Sequence, residues 1–213
     1  MNNLLLPKNS TIESWQINEI NIEILIVKPA IGVEVKGVAL VLHPLPIAGG
    51  TNTNKVVQTL VKVVTTLGYI AYCPNFRGVG SSTGVFDNGI AELQDSIQIY
   101  HKIREDKPNL PIILAGFSFG GAMSCKLSME MLDYQALILV SPSVIKHECR
   151  IIDQDKTIIV YGQEDEVIPM SQVYEWATRE EVVLSIFPAA GHYYHGRLLQ
   201  LQKYLHKQLV GVL

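Results

Sequence analysis

The feature that most constrains the fold is an unbroken apolar run that ends in Gly-Phe-Ser-Phe-Gly, residues 116–120, and leads into a segment rich in helix formers. This order predicts a buried strand, a very tight turn with Ser118 at its apex, and then a helix. Glycine on both sides of the serine allows so sharp a reversal. The turn would place the hydroxyl at a helix N-terminus, which favours developing negative charge. Because the motif alone is a loose pattern, the alternative is a turn that merely contains a serine.

Short apolar strands alternate with helices along the rest of the chain. This alternation predicts an α/β fold, in which a mostly parallel sheet carries helices on both faces. A tight turn at Asn18-Glu19 separates the first two strands and predicts an N-terminal antiparallel hairpin. The length suits a single domain over residues 1–213. The predicted strands are 11–17, 20–27, 38–42, 69–74, one beginning at 112, 136–140, 158–161 and 182–187, and the predicted helices are 55–67, 90–104, 122–131, 171–178 and 196–209.

The composition excludes several classes of partner. A net charge of −3 gives no reason to expect nucleic acid or an anionic membrane. No segment approaches the ~18 apolar residues of a membrane span, and the N-terminal apolar run is too short for a signal peptide. Cys73, Cys125 and Cys149 are too widely spaced for a disulfide framework or a zinc site. We therefore expect a soluble cytoplasmic protein without a metal or another cofactor.

Partners for the serine are expected on loops after later strands, because a serine at neutral pH needs a base and an acid that orients it. Three carboxylates follow the 158–161 strand, at positions 164–166, and Asp165 is the preferred acid because it is placed to point inward. An exposed acidic turn is the alternative. The preferred base is His192, which follows a glycine after the last strand, and His195 is the second choice. The order Ser, Asp, His is the one expected for a serine on such a turn.

Stabilisation of an oxyanion requires two backbone N–H groups, one of them from the residue after the nucleophile, here Phe119. The second should come from a loop after an earlier strand. The sequence His43-Pro44-Leu45-Pro46 follows the 38–42 strand, and proline has no N–H. The second donor is therefore Leu45 or His43, with Leu45 preferred because the prolines would fix its amide. A stiff loop without a catalytic role is the alternative.

A glycine-rich segment at 78–84 could be mistaken for a phosphate-binding loop. It lacks the Gly-Lys-Ser/Thr ending of a P-loop and the spacing of a dinucleotide-binding motif. We interpret it as a structural turn that lines the site.

Taken together, these residues resemble the α/β-hydrolase superfamily over nearly the whole chain, and in particular its small lidless bacterial serine hydrolases. The similarity lies in the His-Pro-x-Pro loop, the segments 75–81 and 86–89, the Gly-Phe-Ser-Phe-Gly turn and the segment 192–197. The resemblance implies Ser118 as nucleophile, Asp165 as orienting acid and His192 as general base. Leu45 stands where that group often has a second histidine. Candidates for lining the site are His43, Arg77, Phe117 and His195.

The resemblance also bears on the substrate. Superfamily members that act on bulky or lipidic substrates often insert a cap at the position of residues 141–156, a segment too short here for a helical cap. The sequence therefore predicts a shallow, open site and a serine hydrolase that cleaves a small or exposed acyl ester or thioester through an acyl-enzyme. The partner would be a small-molecule acyl substrate, and a homo-oligomer is compatible with the sequence. A serine peptidase or amidase, or a non-catalytic binding protein of the same fold, is the alternative.

Overall fold

A computed structural model describes residues 7–213 of the chain. Eight strands and five helices alternate along most of this length, and two short 3-10 turns follow β3 and β6. The strands are β1 Ser10–Ile17, β2 Ile20–Val27, β3 Gly37–Leu42, β4 Tyr69–Pro74, β5 Ile112–Phe117, β6 Ala136–Val140, β7 Thr157–Gly162 and β8 Leu184–Phe187. The helices are α1 Lys55–Thr66, α2 Ile90–Asp106, α3 Phe119–Glu130, α4 Met170–Arg179 and α5 Leu198–Val212, and the 3-10 turns are Pro46–Ala48 and Ile145–His147.

All eight strands form one sheet, in the order β1-β2-β4-β3-β5-β6-β7-β8. The six strands from β3 to β8 are parallel, whereas β1 and β2 form an antiparallel hairpin that joins β4 in antiparallel register. This confirms the predicted mostly parallel sheet with an N-terminal hairpin. Parallel order brings the carboxyl ends of β3, β5, β7 and β8 to one edge, where ligands of such sheets bind.

The apolar strands β3 to β7 are buried on both faces, as continuous apolar runs require. Successive side chains of a strand point to opposite faces, so Leu40 and Leu114 pack with α2, α3 and α4, whereas Ala39 and Ile113 pack with α1 and α5. Helices therefore cover both faces of the sheet, as the sequence predicted.

Element boundaries differ from the predictions by two residues or more at five places. Helix α2 ends at 106 instead of 104 and helix α5 at 212 instead of 209. The other three are starts of elements. Helix α3 begins at Phe119, directly after the turn, instead of at 122. Strand β8 begins at 184 instead of 182, because the Val182 N–H closes the end of α4 on the Ala177 carbonyl. Helix α5 begins at 198 instead of 196, because the Arg197 N–H closes a preceding turn on Tyr194. For β8 and α5 a local hydrogen bond, and not the apolar pattern, sets the start.

The turn between β5 and α3 depends on two close backbone approaches. A Cβ at Gly116 would lie 2.1 Å from the Gly120 carbonyl oxygen, and a Cβ at Gly120 would lie 2.3 Å from that of Leu42. Only glycine fits at either position. The second contact seats the start of α3 against the end of β3, which brings the loop after β3 next to Ser118.

No helix within residues 7–213 combines the length and apolar character that crossing a membrane requires.

Candidate active site

A cavity of about 620 Å³ opens at the carboxyl edge of the sheet. Ser118 and Phe119 contribute to it from the turn after β5, and His192 and Tyr193 from the loop after β8. Its remaining walls come from the loops after β3, β6 and β7, from Gln172 of α4, and from Phe86 and Asn88, which precede α2. Six separate segments of the chain, including the turn that carries the predicted nucleophile, thus meet at this cavity.

Ser118 has the strained backbone that a sharp strand-to-helix turn requires. Its φ of 57° and ψ of −118° are unusual for a residue with a side chain, and its N–H donates to the Val140 carbonyl. The Ser118 carbonyl accepts N–H groups from Ala122 and Ser143. The backbone is therefore held on both sides while the hydroxyl faces the cavity.

The structure brings together the serine, histidine and aspartate that the sequence singled out. His192 Nε2 lies 3.0 Å from Ser118 Oγ, and His192 Nδ1 lies 2.8 Å from Asp165 Oδ2. The side chains of His192 and Asp165 are 2% and 0% exposed. The three residues, up to 74 positions apart in sequence, form one hydrogen-bonded chain.

The protonation of this chain follows from its contacts. Burial by itself would raise the pKa of Asp165, but hydrogen bonds from His192, Ile168 and Val167 outweigh it, so that the pKa is lowered. Asp165 is therefore a carboxylate, and towards His192 it can only accept a hydrogen bond. The Nδ1 of His192 carries the hydrogen, which leaves Nε2 free to accept from the Ser118 hydroxyl.

Hydrogen bonds between adjacent loops set the position of Asp165. The loops that follow β7 and β8 are joined by two backbone hydrogen bonds. The Gln163 N–H donates to the Phe187 carbonyl, and the Glu164 N–H donates to the Ala190 carbonyl. Asp165 Oδ1 then accepts the Val167 and Ile168 N–H groups at 2.9 Å each.

Glu164 and Glu166, the carboxylates on either side of Asp165, make no hydrogen bond to the His192 ring. Glu164 and Glu166 are exposed, and Glu166 accepts the backbone N–H of His192 at 3.1 Å. Of the three acidic residues, only Asp165 reaches the histidine ring.

The two amides predicted to bind an oxyanion both belong to residues that line the cavity. Phe119 is the first residue of α3, where N–H groups have no partner within the helix. Leu45 lies between two prolines with φ −51° and ψ 120°. Within the described part of the chain, neither N–H donates a hydrogen bond. Both residues thus bring to the cavity that contains Ser118 an N–H group without an acceptor in residues 7–213.

His43 and Phe117, which were candidates for lining the cavity, instead lie behind it. His43 is fully buried, with Nε2 2.9 Å from the Phe76 backbone nitrogen and Nδ1 2.6 Å from the Pro44 carbonyl oxygen. Phe117 is also fully buried as the last residue of β5, and its ring packs on that of His192 at a centroid distance of 4.9 Å. Both support cavity residues from the interior.

Arg77 and His195, the other two candidates, are also outside the lining. Arg77 Nε and Nη2 donate to the two carboxylate oxygens of Asp95 in α2, at 2.8 and 2.9 Å. The guanidinium therefore forms a two-point ion pair with Asp95. His195 is exposed, and its ring lies beyond that of Tyr193, at a centroid distance of 5.9 Å. Neither side chain is available to a ligand in the cavity.

The glycine-rich turn at 78–84 is structural, but it does not line the cavity, which corrects the second half of the prediction. Glu23 of β2 accepts the Asn75 side-chain amide at 2.6 Å and the Ser81 N–H at 3.0 Å. Ser82 in turn accepts the Glu23 N–H at 2.9 Å. These bonds draw the turn towards the hairpin and away from Ser118.

Sequence reasoning missed the polar residues that complete the lining, namely Asn54, Asn88, Ser143, Lys146, His147 and Gln172. Ser143, Lys146 and His147 lie in the connection after β6. The position of that connection at the carboxyl end of a strand was the one available signal. Burial and the positive charges of Lys126 and Lys146 lower the pKa of His147, which favours its neutral form. Among the described residues that line the cavity, Lys146 is the one lysine or arginine, and there is no aspartate or glutamate.

Comparison with known protein families identifies the family to which the chain belongs. Residues 35–156, more than half of the chain, match the model of a hydrolase family described as serine aminopeptidase, S33. The chain belongs to this family. The match of the S33 family includes Ser118 and Leu45, and it ends before Asp165 and His192.

Solved structures of two bacterial proteins resemble this S33-family chain over nearly its full length. An alpha-beta serine hydrolase homologue from Coxiella burnetii is 32% identical, covers 96% of this chain and 99% of its own, and superposes with a TM-score of 0.88. A serine hydrolase without lid from Xanthomonas campestris is 28% identical, with coverage of 99% and 98% and a TM-score of 0.88. These similarities confirm the α/β-hydrolase fold without a cap.

A curated relative shows a more limited similarity. An uncharacterized protein of Rickettsia prowazekii is 38% identical over 108 residues, which is 50% of this chain and 45% of that protein. The alignment thus spans less than half of the relative. The S33-family chain shares the α/β-hydrolase fold of the two serine hydrolase structures. Within residues 7–213 there is no group of three or more side chains suited to hold a metal ion.

Proposed function

We propose that the protein hydrolyses a small or exposed acyl ester or thioester through a covalent acyl-enzyme on Ser118. The observation that carries this proposal is the hydrogen-bonded chain from Ser118 Oγ through His192 to Asp165 at the base of the cavity. A serine hydroxyl becomes a nucleophile when a neutral histidine accepts its proton and a buried carboxylate holds that histidine in place.

In the proposed reaction, Ser118 Oγ attacks the acyl carbonyl while His192 Nε2 takes the hydroxyl proton. Asp165 stabilises the imidazolium that forms without accepting its proton. When the tetrahedral intermediate collapses, the bond to the leaving group breaks and His192 returns the proton to that group. Water then repeats the sequence on the acyl-enzyme, with His192 as base, and releases the carboxylic acid.

The oxyanion would be bound by the Leu45 and Phe119 N–H groups. Each residue lines the cavity, and each amide has no other acceptor within the described residues. Phe119 also begins a helix of 12 residues, whose dipole favours negative charge at this end. Two such donors next to the nucleophile are the usual requirement for acyl transfer.

The proposed substrate size rests on the short connection between β6 and β7, which carries one 3-10 turn and no cap. The cavity volume of about 620 Å³ lies within the range of small-molecule pockets, about 300–1,000 Å³. A short acyl group would occupy only part of this space, so the leaving group would take the remainder. We expect kcat/KM to be highest for short-chain p-nitrophenyl esters. A steady rise from acetyl to dodecanoyl would contradict this expectation.

The family description makes an aminopeptidase the second candidate. An aminopeptidase must hold a cationic peptide N-terminus, for which a carboxylate is the natural partner. The described residues of the cavity lining include no aspartate or glutamate, and they do include a lysine. This favours esters and thioesters over peptides with a free N-terminus. Faster cleavage of aminoacyl p-nitroanilides than of the matched esters would reverse this order.

Labelling with a fluorophosphonate probe separates an enzyme from a non-catalytic protein of the same fold. We expect rapid labelling of the wild type and none of Ser118→Ala. Ser143→Ala tests the other serine of the lining. Labelling lost in Ser143→Ala but kept in Ser118→Ala would assign the nucleophile elsewhere. No adduct on folded wild-type protein would refute hydrolase activity.

We propose a cytoplasmic location on the basis of the cysteines. Cys73, Cys125 and Cys149 are free thiols and all are buried, as is usual for proteins of reducing compartments.

A further inference from the structure

We propose that His43 is a positioning residue, which fixes the Pro44–Leu45 peptide group and thereby aims the Leu45 N–H at the oxyanion. The inference rests on the proposed function, because it assigns a role to a residue outside the cavity in the same reaction. His43 would act on the reaction only through Leu45, since its own ring is fully buried and does not line the cavity.

The first step of the argument is the tautomer of His43. The Phe76 backbone N–H can only donate, and it points at His43 Nε2 across 2.9 Å. Nε2 must therefore be the unprotonated nitrogen, and Nδ1 carries the hydrogen. Burial lowers the pKa of His43 to about 4, although its bond to the Pro44 carbonyl works against this shift, so the ring is neutral at physiological pH.

The second step is the direction of the Leu45 amide. With its hydrogen on Nδ1, His43 donates to the Pro44 carbonyl oxygen at 2.6 Å. That carbonyl and the Leu45 N–H belong to one planar trans peptide group, in which they point in opposite directions. A bond that holds the carbonyl towards the interior therefore holds the N–H towards the cavity. Rotation of this peptide group would remove the donor from the site.

The flanking prolines do not fix this peptide group by themselves. A proline ring restricts its own φ, and it biases the residue before it towards an extended backbone. These effects leave rotation at Pro44 ψ and Leu45 φ, the two torsions on either side of the peptide group. Among the described residues, His43 is the one that donates a hydrogen bond to the Pro44 carbonyl, and this bond resists the rotation.

The third step is what holds the ring of His43. It packs edge-on against Phe76, with ring centroids 4.6 Å apart, and Phe76 in turn packs against Phe119 at 5.4 Å. Strands β3 and β4 are parallel neighbours, so their following loops lie side by side. The Asn52 N–H also donates to the Asn75 side chain at 2.8 Å, a second link between these loops. The ring is thus fixed from the loop after β4.

Two substitutions separate the two bonds of the His43 ring. An asparagine amide reaches the position of Nδ1, so His43→Asn retains a donor for the Pro44 carbonyl and loses the acceptor for Phe76. A glutamine amide reaches the position of Nε2, so His43→Gln retains the acceptor and loses the donor to Pro44. His43→Phe removes both bonds while it keeps an aromatic ring against Phe76.

We expect kcat for a p-nitrophenyl ester to fall less than tenfold in His43→Asn. In His43→Gln and His43→Phe we expect a loss of about 10–100-fold, which is part of the ~10²–10³-fold cost of losing one oxyanion donor. KM should stay within about threefold, because the ground-state carbonyl relies on the donor less than the oxyanion does. Affinity for a trifluoromethyl ketone, which forms an oxyanion on addition of the serine, should weaken in the same order as kcat.

A purely structural role for His43 predicts a different pattern. The kcat values would then follow the melting temperatures of the variants, and His43→Asn would lose as much as His43→Gln. Either result would overturn the inference. Wild-type protein without turnover or fluorophosphonate labelling would instead refute the proposed function, so the two failures are distinguishable.

A measurement on the wild type keeps the inference testable if the variants do not fold. In protein labelled with ¹⁵N-histidine, we expect the buried His43 to be in the Nδ1–H tautomer, with that proton slow to exchange. The Nε2–H tautomer would overturn the inference, because the ring could not then donate to the Pro44 carbonyl.

Discussion

Asp165 receives the Nδ1–H of His192 across 2.8 Å, and solvent is excluded from both side chains. The carboxylate therefore fixes the tautomer that leaves Nε2 facing Ser118. In Asp165→Asn an amide replaces the acceptor and favours the opposite tautomer, so kcat should fall by about 10⁴-fold in a protein that remains folded. Glu164→Gln, a change to an exposed neighbour, is the control and should retain activity. Comparable losses in both variants would argue against the assigned acid.

Removal of the Leu45 N–H tests the second oxyanion donor. The φ of −51° at Leu45 suits proline, so Leu45→Pro deletes the donor at a backbone conformation that proline accepts. We expect kcat to fall by about 10²–10³-fold with little change in KM. Leu45→Ala shortens the side chain but retains the N–H, and its kcat should remain within about tenfold of the wild type. Near-full turnover of a folded Leu45→Pro variant would remove Leu45 from the site.

Mild acid should destabilise the protein through His43. Its pKa of about 4 in the folded state lies below the ordinary value of 6.5, so the unfolded state binds more protons between these pH values. The free energy of unfolding should therefore fall as the pH drops from 6.5 towards 4, by roughly 3 kcal/mol at 1.36 kcal/mol per pKa unit. Urea unfolding at pH 7 and pH 4.5 measures the difference.

His147 also has a lowered pKa and contributes in the same direction, so a control is needed to isolate His43. His43→Asn has no group that titrates at this position, and the decrease in stability between the two pH values should be smaller by most of the expected amount. An unchanged pH dependence in this variant would show that another group is responsible.

The turn that carries Ser118 should tolerate no Cβ at Gly120. The added carbon of Gly120→Ala would lie 2.3 Å from the Leu42 carbonyl oxygen, so backbone must shift and we expect a loss of more than about 3 kcal/mol in stability. Gly211→Ala is the matched control, since nothing lies within 4 Å of the added carbon and the position is in α5. Gly211 lies one residue from the end of α5, so alanine should change the stability by less than about 1 kcal/mol. Thermal unfolding of both variants and of the wild type measures these changes in stability.

The charge of the cavity should influence substrate choice. Lys146 is the one lysine or arginine among the described lining residues, and it forms no salt bridge with another described residue. We expect mono-p-nitrophenyl glutarate to be preferred over its neutral methyl ester, and Lys146→Glu to reverse this preference. The change should be about two- to fivefold, because an exposed pair contributes ~0.2–1 kcal/mol. Lys62→Glu on α1 makes the same charge change elsewhere and should leave the preference unaltered.

The sequence was most informative where a backbone requirement restricts the residue type. Two glycines around Ser118 predicted the turn, and the β-branched, apolar runs predicted the central strands. The order of Ser118, Asp165 and His192 was sufficient to identify three side chains that meet in the structure. Spacing along the chain carries this information because parallel strands bring their carboxyl ends to one edge.

The sequence was least informative about the direction of individual side chains. His43 and Arg77 occupy motifs that suggest contact with a ligand, yet one faces the interior and the other pairs with Asp95. These outcomes depend on partners 33 and 18 residues away, which no local pattern identifies. The position of Lys146 in the cavity lining was equally hidden, because a 3-10 turn of three residues has no recognisable periodicity.

Strand β8 occupies one border of the sheet, has four residues, and none of them is fully buried. His192 follows this strand, whereas Ser118 follows β5 in the fully buried centre. Short border strands open at a lower free-energy cost than the core of a domain. Opening of this border would move His192 away from Ser118 at a lower cost than global unfolding. We therefore expect activity to be lost on heating before the rest of the molecule unfolds, and to return on rapid cooling without refolding of the whole chain.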